Sequence, residues 1–405
     1  MRLAFKAATT LALAGIITCA ALLPAQAGSD VTESYTSAAS YNLGGGVVGE
    51  YADGSGRTYD DAGTIVVDVD GAFYPEHSAF AGRVAGETCF GQAASTTPFA
   101  SLCAYETFVP RPTTSDPSGG YYFSTLPGVS EPSNAANGNS CTDGSSFCHE
   151  THGNATAGII AGAPFSRWET PHLRAFSSGV APGAKLYMAK IGGGTATTAG
   201  WPHASVVDAL NWVERALVQN PYIGTKAAAV NLSVSGAPLP EGQDCPSEGT
   251  RIDEAAGRLK ELGVAVVMAA GNNSLNGLGT WNCGKNIIRV GATQITDPTE
   301  PTSYTNISAS IPLFAPVGDG DFAHQNALLA PYKSAGPYYV RGTSFAAPQV
   351  AGAFAVLLEK FGAGPTVDEL TDLLVRTGQP LTGPRSDTAL GAVVTNLAAA
   401  LHDTP

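Results

Sequence analysis

Four kinds of residue in this 405-residue chain could together carry out acyl transfer. Ser344 lies in Gly342-Thr343-Ser344-Phe345-Ala346-Ala347-Pro348 and is followed by an apolar run that reaches Leu358. That pattern puts its hydroxyl at the first turn of a buried helix, where free backbone N–H groups and the positive end of the helix dipole favour a developing negative charge. A serine hydroxyl is a weak nucleophile until a base accepts its proton and a third group orients that base. His152, in His152-Gly153-Asn154-Ala155-Thr156-Ala157-Gly158-Ile159, is the candidate base. Asp68 and Asp70, in Val67-Asp68-Val69-Asp70-Gly71, are the candidate acids. Asn272 closes the apolar segment Val266-Val267-Met268-Ala269-Ala270-Gly271, where its side-chain amide could donate to an oxyanion or make an Asx turn.

Positioning these groups requires rigid elements. Gly63-Thr64-Ile65-Val66-Val67-Asp68 reads as a buried parallel strand ending in a carboxylate. Strands are expected at residues 184–191, 227–234, 264–270 and 286–292, and helices at 205–218, 251–262, from Ser344 onward and at 367–377. Such alternation implies a three-layer α/β domain, a mostly parallel sheet with helices on both faces, over residues 61–405. Residues 28–60 read as an extended lead-in or short removable propeptide. The Pro/Gly/Ser/Asn-rich stretch 95–148 reads as a surface insertion pinned by cysteines.

The first 27 residues have the form of a signal peptide: Arg2 and Lys6, an apolar stretch from Leu11 to Leu23, then Ala25-Gln26-Ala27. A secreted chain, extracellular or periplasmic, is therefore expected, with no membrane contact after cleavage. The net charge of −13 becomes −15 once Arg2 and Lys6 leave, a surface that repels nucleic acid and anionic membranes. Cys19 lies in the signal segment, and six cysteines remain. An even number in an exported protein suggests three disulfides. Sequence proximity favours Cys89–Cys103 and Cys141–Cys148, which leaves Cys245–Cys283. Cys141, Cys148, His149 and His152 also cluster, but their spacing does not suit zinc, and no metal site is expected there.

The motifs resemble those of the subtilisin-like serine peptidases (subtilases, family S8). The resemblance rests on the serine and histidine segments above and on the Asn272 segment. It extends to Gly179-Val180-Ala181-Pro182-Gly183-Ala184, Asn231-Leu232-Ser233-Val234-Ser235-Gly236, Ser303-Tyr304-Thr305-Asn306 and Phe314-Ala315-Pro316. The order Asp…His…Ser is the subtilisin order. The resemblance implies a serine endopeptidase working through an acyl-enzyme, with His152 as base, Ser344 as nucleophile and Asn272 in the oxyanion hole. Ser233, Val234, Ser235, Gly236, Ala269 and Gly271 would bind substrate. It implies protein or peptide substrates, a monomer and no required cofactor; the residues of any structural calcium site are not identifiable.

Departures from the family pattern carry expectations of their own. Asn154 and Thr156 replace a usual Thr or Ser and a usual aliphatic residue, and weaker local packing is expected from them. The acid should be followed by Thr or Ser and then Gly, a pattern present in neither register. Asp68 is favoured as the acid, with Asp70 the alternative. If Asp70 were the acid, Asp68 would lie beneath it on the same face of a buried strand, and one of the two would have to take up a proton. Few residues separate Ala27 from Asp68, too few for the family's usual pro-domain. That gap and the irregular acid motif leave room for a catalytically silent, partner-binding relative; an esterase with the same triad has no support of its own. Phe345 stands where the family commonly has an oxidisable Met. Activity is therefore expected to survive peroxide treatment and to become peroxide-sensitive in Phe345→Met, as residual turnover after exposure would show.

Overall fold

The β-branched run at residues 64–67 forms a strand, but it continues two residues beyond the expected end. Strand β1 is Thr64–Asp70, every residue of it buried. The computed structural model describes residues 64–91, 151–219 and 226–405, apart from breaks at 72, 170–171, 177, 192, 195–202, 220–225, 321–325, 333–335 and 390, together with short strands at 51–52, 58–59, 100–101 and 121–124. The signal segment, most of the lead-in and insertion, Cys103, Cys141, Cys148 and His149 lie outside the described residues.

The remaining elements that build the sheet and its covering layers follow in chain order. They are β2 Val84–Gly91, β3 Tyr121–Ser124, α1 Thr151–Ala161, β4 Lys185–Ile191, α2 His203–Trp212, β5 Lys226–Leu232, α3 Ser247–Glu261 and β6 Ala265–Ala269. After them come β7 Ile288–Thr293, β8 Leu313–Pro316, α4 Ala347–Phe361, α5 Val367–Thr377, β9 Gln379–Pro380 and β10 Val393–Val394. The sheet order is β9-β10-β8-β7-β6-β5-β1-β4-β2-β3. All neighbours are parallel except the edge pairs β9–β10 and β2–β3. The expected helix over 205–218 is in two parts, α2 and a wider π-helical stretch, Val213–Val218.

Side chains alternate across β1 with period two. Ile65, Val67 and Val69 join the apolar layer with α2 and α3. Val66 joins the opposite layer with α1 and α4. Asp68 and Asp70, having the same parity as Val66, therefore point into the α1–α4 layer. Parallel β1 pairs with β5, placing Asp68 beside Asn231, and with β4, placing Asp70 beside Lys190.

Beyond β6 the chain makes a loop fastened from several directions. Asn282 donates through Nδ2 to the Ala269 carbonyl at 2.7 Å, and Gly279 N–H donates to its Oδ1 at 2.7 Å. The buried Arg289 guanidinium donates to the carbonyls of Asn282, Gly284, Ile287 and Ser310. Burial pushes its pKa down to about 10, against the pull of Asp253, so it stays charged at neutral pH. Cys283 in this loop bonds Cys245, 38 positions away in sequence, with Cα atoms 5.5 Å apart. Cys89 is also disulfide-bonded, to a residue outside the described set. Closing a loop of the Cys245–Cys283 length is worth about 4 kcal/mol in chain entropy. Replacing both cysteines by serine should lower stability by about 2–4 kcal/mol, read as a fall in the denaturant midpoint.

Candidate active site

The site forms where the carboxyl ends of β1, β5 and β6 meet α1 and the turn before α4. Asp70 is the last residue of β1. Its Oδ1 accepts the Gly71 N–H at 2.6 Å, and both its oxygens reach His152 Nδ1, at 2.8 and 2.9 Å. Asp70 is fully buried, whereas the His152 side chain is 28% exposed. The carboxylate holds the proton on Nδ1, which leaves Nε2 as the basic nitrogen.

His152 is the second residue of α1, a helix of small residues. A Cβ on Gly158 would lie 2.2 Å from Pro331, so this glycine lets α1 seat against the hairpin of Leu328–Tyr332 and Gly336–Val340. Asn154 and Thr156 do more here than fill space, since each makes hydrogen bonds beyond its own helix. Asn154 Oδ1 accepts the Tyr74 N–H at 2.7 Å, fastening α1 to the loop after β1. Thr156 Oγ1 lies 2.8 Å from Asp68 Oδ2, 3.4 Å from Asp70 Oδ2 and 3.0 Å from the Gly153 carbonyl.

Ser344 sits in a 3₁₀ turn, Thr343–Phe345, and the long helix begins three residues after it, at Ala347. The turn enters through Gly342, whose φ of +127° suits glycine alone and whose missing Cβ leaves room for Asn272 Nδ2. Ser344 Oγ donates to the Ser233 carbonyl at 3.0 Å, and Ser233 Oγ donates to the Ser344 carbonyl at 2.7 Å. The Phe345 ring lies 5.2 Å from the His152 ring.

Asn272 follows β6 and is oriented by the residue before the serine. Its Oδ1 accepts the Thr343 N–H at 2.8 Å and the Thr343 hydroxyl at 3.0 Å, and that hydroxyl in turn accepts the Gly271 N–H at 3.0 Å. With Oδ1 occupied, the amide's Nδ2 is its remaining donor. Among the described residues neither Asn272 Nδ2 nor the Ser344 N–H has a hydrogen-bond acceptor, and two unengaged donors beside a serine hydroxyl can hold an oxyanion. The adjacent Asn273 is tied by its N–H to Asn306 instead, at 3.0 Å.

Ser233, Val234, Ser235 and Gly236 run on from β5, whose Leu232 pairs with Met268 just before Ala269, and a Cβ on Gly271 would lie 3.2 Å from Ser235 Oγ. Ser235's carbonyl accepts the Trp281 N–H at 3.1 Å, so the loop closed by Cys283 borders this stretch.

The carboxylate that meets His152 is not the one that sequence reasoning favoured. Asp68 does not meet His152; Asp70 does. Asp68 was favoured because two buried carboxylates on one strand face are costly, yet both are there and both are fully buried. Asp68 is instead held by two neutral groups, Thr156 Oγ1 and, at 2.7 Å, Asn231 Nδ2. Burial, and then the charge of Asp70, push its carboxyl well above the usual range of 3.8, against the hydrogen bonds from Asn231 and Thr156. Of the two carboxyls on this face, the one that burial raises is thus Asp68. Sequence reasoning gave no role to Asn231, Thr343 or Thr156. Asn231 carried a readable signal: an amide of Ser233's parity within an otherwise apolar strand.

A parallel three-layer sheet with these side chains at the carboxyl ends of its strands is the subtilisin-like arrangement. The chain belongs to the Subtilase family, whose profile (Peptidase_S8) matches residues 62–393. It is 28% identical over 238 residues to subtilisin-like protease 1 of Trichophyton verrucosum, a match covering 58% of this chain and 50% of that one. It is 29% identical over 255 residues to the extracellular basic protease of Dichelobacter nodosus, covering 59% and 39%. The chain thus spans half or less of the length of these relatives. In fold it is similar to a protease from Pseudoalteromonas arctica, with a TM-score of 0.58 and 22% identity over 85% of this chain and 90% of that one. It is likewise similar to a cold-adapted subtilisin-like serine proteinase, with a TM-score of 0.52 and 19% identity over 84% and 90%. Among the described residues no cluster of metal-binding side chains occurs, and no helix is long and apolar enough to cross a membrane.

The electrostatics of His152 set a pH dependence. Burial alone would lower its pKa, but the charge and hydrogen bond of Asp70 outweigh burial and hold it above 6.5. A base with a raised pKa loses its proton only at higher pH, so the acid limb of kcat/KM should have its midpoint above 6.5. A pH–rate profile on a small peptide substrate checks this.

Proposed function

We propose that the chain is a secreted serine endopeptidase with Ser344 as nucleophile, His152 as general base and acid, and Asp70 as the orienting carboxylate. The observation that carries this reading is the His152–Asp70 pair across from a serine flanked by two unengaged donors. Substrate lies extended along Ser233, Val234, Ser235 and Gly236, recognised chiefly through its backbone, with Ala269 and Gly271 on the neighbouring strand end. Ser344 Oγ turns from the Ser233 carbonyl to His152 Nε2, gives up its proton there and bonds the substrate carbonyl carbon. The carbonyl π pair moves onto oxygen, held by the Ser344 N–H and Asn272 Nδ2. The intermediate collapses with cleavage of the C–N bond, and the proton on His152 passes to the leaving amine. Water then attacks the acyl-enzyme by the same route in reverse, returning the proton to Ser344. Export fits the N-terminal signal pattern and the extracellular relative named above.

A fluorophosphonate probe should label the folded protein at Ser344 and fail to label Ser344→Ala, with peptide hydrolysis lost in parallel. Folded wild-type protein that takes no label would refute the active triad and leave a partner-binding role. Labelling accompanied by ester but not peptide turnover would refute the endopeptidase assignment.

A further inference from the structure

Asp68 is a buried carboxyl that the proposed mechanism does not use. It lies at the centre of a continuous chain of polar contacts. From the base the chain runs through Asp70 to Thr156 Oγ1, 3.4 Å from Asp70 and 2.8 Å from Asp68. From Asp68 Oδ1 it runs 2.7 Å to Asn231 Nδ2, then 3.0 Å to Ser233 Oγ and 2.7 Å to the carbonyl of Ser344. These contacts link α1, β1, β5 and the nucleophile turn, so the two ends of the triad meet at one side chain. We propose that Asp68 is a positioning residue which, as a neutral acid, ties the His152–Asp70 pair to the Ser344 turn. This rests on the triad reading above.

Neutrality follows from the surroundings. Among the described residues, the charged groups beside Asp68 on this face are Asp70, His152 from α1, Lys190 in register with Asp70 on β4, and Glu87 in register with Met188 on β2; Lys226 lies at the far end, in register with Thr64. His152 is engaged by Asp70, and the groups touching Asp68 itself are a hydroxyl and an amide. A second unpaired negative charge two residues from Asp70, out of water, is unfavourable by both desolvation and repulsion. With the proton on Oδ2, Asp68 donates to Thr156 Oγ1, and the Thr156 hydroxyl is released to donate to the Gly153 carbonyl or toward Asp70. Folding then takes up a proton at Asp68. Between the ordinary carboxyl range and the raised native one the unfolded chain binds fewer protons, so this residue makes stability fall as pH rises.

An asparagine reproduces the donor and acceptor pattern of a neutral acid, and a leucine removes it at similar size. In Asp68→Asn, kcat should stay within about threefold of wild type, and the acid limb of kcat/KM should move by less than about 0.2 pH units. In Asp68→Leu, or in Thr156→Val should that variant not fold, kcat should fall about tenfold with KM nearly unchanged. In a Ser344→Ala background, Asp68→Asn should raise the melting temperature at about pH 8 and change it less at about pH 5. The inference is overturned if Asp68→Asn moves the acid limb down by more than about half a unit, which would mean a charge had been removed. It is equally overturned if both bridge-breaking variants keep full kcat. Asp70→Asn, run alongside, tests the triad separately: retained turnover in that variant sinks the triad reading, whereas its collapse beside active Asp68→Leu and Thr156→Val sinks only the role of Asp68.

Discussion

The site depends on the two-residue period of one buried strand. Because β1 continues to Asp70, Asp68 is forced onto the same face with no water around it. The resulting electrostatic problem dictates what the neighbouring elements supply: a hydroxyl from α1 and an amide from β5. Thr156 and Asn231 are therefore best understood together with Asp68. A hydroxyl in the middle of a helix otherwise bonds its own helix's carbonyls, as Thr156 also does with Gly153. Here it reaches across to the strand as well, and in doing so fixes how α1, and with it His152, sits over the sheet.

The nucleophile side shows the same economy of means. Thr343 receives the Gly271 N–H and gives its own N–H and hydroxyl to Asn272, so the order of the turn and the direction of the amide are one property. Gly342 makes that approach possible. Ser233 contributes twice, its carbonyl receiving the Ser344 hydroxyl and its own hydroxyl holding the Ser344 carbonyl. The reactive oxygen is thus held by the strand along which the proposed substrate would bind.

Much of this was legible in the sequence, for identifiable reasons. Strand–helix alternation with apolar strands gave the layered sheet, and helix α5 was read with its observed ends, which in the structure carry a capping box of Thr366 and Glu369 and a following Gly378. The histidine, serine and Asn272 segments were legible because each joins a polar residue to a strongly patterned element. The choice between Asp68 and Asp70 was not. The desolvation argument was sound, but it assumed that nothing would satisfy the lower carboxyl. What satisfies it comes from residues 88 and 163 positions away, and only strand register and helix placement bring them near. The departures at Asn154 and Thr156 were visible as letters, but their meaning depends on Tyr74 and Asp68. The start of helix α4 was misjudged because an apolar run does not distinguish a 3₁₀ turn from the first turn of a helix.

The loop between β6 and β7 has a consequence of a different kind. A peptidase is surrounded by copies of itself, and a cleft that accepts extended backbone will accept any surface loop able to straighten. This loop borders the proposed cleft, yet its Asn282, Gly284 and Ile287 carbonyls are bound by Arg289, its turn is held by Asn282, and Cys283 anchors it to the start of α3. To straighten, it would have to break a covalent bond and strand a buried guanidinium together. For the endopeptidase proposed above, that fastening makes the loop resistant to cleavage by another copy of the chain.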